Sequence, residues 1–207
     1  MSLGIPENRV NNINPSNMDT RIKETLDAWL KYGTVAVVFR LGQYYFLEDG
    51  ERELFDPYMV KILFFILIGF AIYYMFVKPY IPINLEHPIF QNVANDTLMF
   101  GTVLVSSHVL DVIMGDGELF SMDWLKSSGA ILIAFAAYQV FVHPFVPTDN
   151  LTPETKPVVD DWLKFGVFLV VARFLQGESF NQEWFLSVVF VLLGFGAYHV
   201  VTKKLIA

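Results

Sequence analysis

The sequence predicts an all-α membrane protein made of three tandem helical hairpins, about six transmembrane helices, arranged as a pseudo-threefold bundle. Two observations predict the membrane class. Of the 207 residues, 54% are hydrophobic and only 17% charged, where a soluble domain carries roughly a quarter charged residues. Aromatic residues reach 16%, with 20 Phe; Phe suits a lipid-facing helix, and Trp and Tyr suit the headgroup level. A third observation, an internal repeat, predicts the hairpins.

The first half of the repeat is Asp27-Ala-Trp-Leu-Lys-Tyr-Gly33, which returns as Asp160-Asp-Trp-Leu-Lys-Phe-Gly166. A degenerate middle copy reads Asn95-Asp-Thr-Leu-Met-Phe-Gly101. Seven residues after each Gly stands Arg40, His108 or Arg173. The second half is Gly69-Phe-Ala-Ile-Tyr73, Ala134-Phe-Ala-Ala-Tyr138 and Gly194-Phe-Gly-Ala-Tyr198. Five residues past each Tyr comes Lys78, His143 or Lys203, and 17 before it comes Asp56, Ser121 or Asn181. These last three are N-capping types, and Pro57 follows Asp56 at the favoured first helical position.

Each unit therefore reads helix, loop, helix: 24–46 with 57–78, 93–114 with 122–143, and 158–175 with 182–203. The organisation is a polar arm over 1–21 and repeats over 22–82, 89–147 and 157–207. Pro79, Pro82, Pro144 and Pro147 stop the second helices of the first two units. A span needs about 20 mostly apolar residues. The second helices approach this, whereas Lys31 and Arg40, or Lys164 and Arg173, interrupt the first helices.

Nine of the 14 Lys and Arg fall on the side of the termini and inter-repeat linkers, which predicts a cytoplasmic location for that side. The hairpin loops are acidic, with Glu48, Asp49, Glu51, Glu53, Asp116, Glu118 and Glu178. On the basic side lie two glycosylation sequons, at Asn95 and Asn150, expected to stay unmodified.

Net charge of -7 argues against nucleic acid. With no Cys, thiolate metal sites and cysteine nucleophiles are excluded. Hydrolase and phosphate-loop motifs are missing, so no enzyme, cofactor or metal site is expected. Arg40, His108 and Arg173 are ionisable groups near membrane depth. They are either a converging polar centre or helix-end anchors paired with loop acids such as Glu178. Gly33, Gly101, Gly166, Gly69 and Gly194 are expected to allow close helix packing, and Tyr73, Tyr138 and Tyr198 to recur as bundle contacts or interface anchors.

Residues 160–166, with Val-Val-Ala-Arg-Phe-Leu-Gln-Gly-Glu-Ser-Phe over 170–180, Leu-Gly-Phe-Gly-Ala-Tyr-His over 193–199 and Asn-Met-Asp-Thr-Arg-Ile-Lys-Glu-Thr over 17–25, carry a resemblance. Together they resemble small multi-pass proteins of nucleocytoplasmic large DNA viruses. The resemblance implies a structural protein of the internal virion membrane, a minor capsid-associated component. Its implied partners are the lipid bilayer, capsid or other virion membrane proteins, and further copies of the chain. The other reading is a small transporter or channel using Arg40, His108 and Arg173; three-hairpin carriers share the architecture, but their Pro-acid-base signature is missing here.

Overall fold

The computed structural model describes residues 15–46, 56–81, 83–115 and 121–206. Among these residues the chain is all-helical, with six long helices. They are α1 (Pro15–Phe46), α2 (Pro57–Ile72), α3 (Pro88–Ile113), α4 (Met122–Ala137), α5 (Lys156–Leu175) and α6 (Gln182–Ala197). A short α7 (Lys203–Ile206) follows.

Capping explains most of the boundaries. Asp56, Ser121 and Asn181 each accept a hydrogen bond from the backbone amide three residues on, at 2.7, 3.2 and 2.9 Å, satisfying an otherwise orphaned donor of α2, α4 and α6. The first helices begin earlier than the apolar pattern predicts. Pro15 and Pro88 open α1 and α3, and Pro157 sits in the first turn of α5, where the missing N–H costs nothing. Gly115 and Gly177, at φ +90° and +71°, follow the ends of α3 and α5, the left-handed position that glycine fills without steric cost. The loop acids from Glu48 to Glu53, with Asp116 and Glu118, lie outside the described residues.

The second helices hold a feature the periodicity does not reveal. A five-residue π turn follows each, over Tyr73–Val77, Tyr138–Val142 and Tyr198–Thr202. Each turn starts on the repeated Tyr, whose carbonyl accepts from the amide five residues later (Lys78, His143 and Lys203). Such turns are rare and reset the helical phase. All three tyrosines are buried.

Neighbouring helices pack in chain order from α1 to α6, and α6 returns to α1, closing a ring. The α6–α1, α2–α3 and α4–α5 contacts, which join different hairpins, are more extensive than those within a hairpin. Among the described residues, four helical stretches are long and apolar enough to cross a membrane: Met59–Val77, Pro88–Ile113, Met122–Phe145 and Gln182–Leu205. By the same measure α1 and α5 fall short, because charges interrupt them.

Candidate functional site

The centre of the ring is aromatic. Tyr32, Phe100 and Phe165, the sixth residue of the three motif copies, lie in mutual edge contact with centroids 5.8–6.0 Å apart. Each also stacks on the Phe of its own second helix: Tyr32 on Phe70 at 4.7 Å, Phe100 on Phe135 at 4.1 Å, and Phe165 on Phe195 at 4.3 Å. Edge and offset-stacked contacts are the favoured aromatic geometries. Phe70, Phe135 and Phe195 are at most 2% exposed. These rings fill the interior where the three hairpins meet.

Beside the rings lie three equivalent groups of side chains. In one, Asp161 receives Lys31 Nζ at 2.6 Å and stands 2.6 Å from His199 Nε2. In the second, Asp96 receives Lys164 Nζ at 2.5 Å and the Gln139 amide at 2.7 Å. Each carboxylate sits at motif position two and is bound by the residue after its own repeat's Tyr. Its lysine comes from motif position five of a different repeat. At the third place the same positions hold Ala28, Met99 and Tyr74. All three belong to the apolar core, and Tyr74 Oη lies 3.8 Å from Met99 Sδ. The middle repeat has Met99 in place of the lysine, and the first repeat lacks the carboxylate that such a lysine would meet.

This matching matters energetically. A buried charge left without its partner costs several kcal/mol, whereas replacing a whole pair by apolar residues is often neutral. A lone lysine at position 99, or a lone aspartate at position 28, would be a liability; Met99 with Ala28 is not.

The repeated tyrosines sit beside these groups. Tyr198 donates to Asp27 at motif position one of the first repeat, a contact between the π turn after α6 and α1. Asp160 is the corresponding residue beside Tyr138, and its Oδ1 is buried with no hydrogen-bond partner among the described residues. A further polar link across the α6–α1 junction joins the Thr34 and Thr202 hydroxyls at 3.1 Å.

Arg40, His108 and Arg173 are placed differently. Arg40, 8% exposed, reaches Asp56, the N-cap of α2, at 3.3 Å. His108 stacks on Trp124 in the first turn of α4, at 4.5 Å. Arg173 donates to the Ser179 carbonyl at 3.0 and 3.1 Å and pairs with Glu178, just before the α6 cap. Each side chain ties the end of its first helix to the start of its own second helix. These contacts run within the hairpins.

The glycines divide. A Cβ at Gly194 would stand 2.7 Å from the Val35 Cα, and one at Gly69 would stand 3.0 Å from the Val103 Cα. These two allow α6 to approach α1 and α2 to approach α3. At the equivalent α4–α5 place the chain has Ala134, fully buried. By contrast, a Cβ at Gly33 or Gly101 would meet only a leucine tip at 3.8 or 4.0 Å, and one at Gly166 would meet open space. Among the repeated glycines, close approach therefore belongs to Gly69 and Gly194, while on α1 it is Gly42 that leaves room for the Phe190 ring.

The inter-repeat pairs escape a sequence reading because Lys31 and Asp161 are 130 residues apart. The available signal is the coincidence of Met99 with Ala28 when the copies are aligned. Comparison with protein-family models, curated proteins and solved structures yields no match to this chain.

Proposed function

We propose that the chain crosses the membrane six times as a pseudo-threefold bundle, and that it is a structural protein of a large DNA virus particle. In this role it scaffolds the internal membrane or links it to the capsid. The observation that carries the reading is the interior: central aromatic rings flanked by charges already committed to one another across the repeats. That arrangement suits a rigid, sealed bundle.

The same pairing supports spans by α1 and α5. Lys31, Lys164 and Asp161, which lower the hydropathy of these helices, take partners within the bundle, as ionisable residues in membranes do. At 20 residues, α5 is about 30 Å long, the thickness of a hydrocarbon core. The viral assignment rests on the resemblance of residues 17–25, 160–166, 170–180 and 193–199. The basic linkers and acidic hairpin loops are its contact surfaces, with the termini on the cytoplasmic side. The transporter reading draws no support from Arg40, His108 and Arg173, each engaged in its own hairpin turn.

Two measurements test this. Since the chain has no Cys, single cysteines at positions 45, 84, 151 and 179 are unambiguous accessibility reporters in sealed vesicles. Labelling of 84 and 151 from one face and of 45 and 179 from the other is expected; all four on one face would refute six spans. In proteoliposomes, no proton or solute flux above empty vesicles is expected, and flux lost in Arg173→Ala would overturn the structural role. Cross-linking in purified particles that finds no capsid or membrane-protein neighbour would overturn the viral placement.

A further inference from the structure

An apolar groove of about 1340 Å³ runs along the outer face of α3, walled by α2 and by Ile81, Ile83 and Leu85 of the linker, with Glu86 and His87. Its floor includes Ala94, Thr97, Gly101 and Val105. The corresponding face of α5, lined by Trp162, Leu163, Gly166 and Val170, holds only about 340 Å³. One difference on the floor is motif position three. Trp162 lies against α6, its indole N–H donating to the Leu192 carbonyl at 2.7 Å, and Trp29 makes the same kind of bond to Leu63 at 3.2 Å. The middle repeat has Thr97 there, so no indole covers the floor.

We propose that this groove holds one acyl chain of a bilayer phospholipid, entering from the linker side. Three observations commit the site to that occupant. The groove is continuous with the outer surfaces of α2 and α3, both long and apolar enough to cross a membrane, so it opens sideways into hydrocarbon. Two of its three hydroxyls are already used, Thr102 donating to Leu98 O at 2.7 Å and Ser106 to Val103 O at 3.0 Å, which leaves Thr97. A polar ligand would therefore find little to bind. The charge match points the same way. Among the described residues, the only ionisable ones lining the groove are Glu86 and His87, at the linker mouth, leaving an uncharged channel for an uncharged tail and little selection of the headgroup.

The inference rests on membrane insertion of α2 and α3 and is independent of the virion assignment. The full chain, reconstituted in nanodiscs of mixed zwitterionic and anionic phospholipid, is released for native mass spectrometry. One retained phospholipid is expected, with headgroups in the proportion supplied. Thr97→Trp should lose it, and Ala94→Phe, which narrows the groove nearer the linker, should lose it as well; whichever variant keeps wild-type helicity and monodispersity decides. The lipid should persist in Glu86→Gln. A wild-type chain that retains no lipid, a folded filled-groove variant that retains as much, or a co-purifying protein lost in the same variant would each overturn the proposal.

Discussion

Where the third repeat meets the first, Asp161 takes Lys31 and His199; at the corresponding place between the first repeat and the second, Ala28, Met99 and Tyr74 make an apolar group. One fold position thus accepts two opposite chemistries. The comparison teaches that the unit of design is the whole group and not the single residue. A carboxylate, its lysine and its third partner are present together or absent together, because the unpaired intermediates are the costly states. The aromatic rings beside them stay constant. They supply non-directional burial and edge contacts, which do not require charge balance.

Removing one member of the charged group should have the largest effect. Asp161→Ala leaves Lys31 and His199 facing a buried gap and should cost about 3–5 kcal/mol, read as a large drop in melting temperature in detergent. Replacing the whole group by its apolar counterpart (Asp161→Ala with Lys31→Met and His199→Tyr) should recover most of that loss. A triple variant no more stable than the single one would break the equivalence.

The junctions also differ in how closely their helices approach. Gly194→Ala places a methyl 2.7 Å from the Val35 backbone and should cost about 1–3 kcal/mol by overpacking. The corresponding Ala134, which already carries that methyl, should tolerate Ser with a smaller loss. Equal losses at both sites would show that glycine is not setting the α6–α1 distance. The smallest effect belongs to the hairpin braces. Arg173→Ala removes a partly exposed contact to Glu178 and Ser179, and its change in stability should stay within about 1 kcal/mol. A loss as large as that of Asp161→Ala would move the energetic centre from the bundle interior to the hairpin ends.

Much of the architecture is legible in the sequence because it is local. The hairpin units follow from matched offsets, and Asp56, Ser121 and Asn181 cap second helices through bonds three residues long. The helix breaks at Pro79 and Pro144 follow from a missing donor. What escapes is either long-range or non-periodic. Asp161 and Lys31 meet only because the ring closes, and no window of sequence contains both. The π turns after Ile72, Ala137 and Ala197 each begin on a buried Tyr, and no helical period announces them. Hydropathy counts Lys31 and Lys164 as plain charges, and no hydropathy window shows that their carboxylate partners lie inside the bundle. Arg40, His108 and Arg173 are conspicuous in the aligned copies, yet the aligned copies do not announce their contacts to Asp56, Trp124 and Ser179 in the hairpin turns.

The matched absence of charge at Ala28 and Met99 is the claim on which the rest depends, and a double-mutant cycle tests it most directly. Ala28→Asp and Met99→Lys are introduced singly and together, and melting of the purified chain is followed. Each single variant should be strongly destabilised, and the double variant should regain most of the loss by restoring a third ion pair. Losses that simply add would contradict the account.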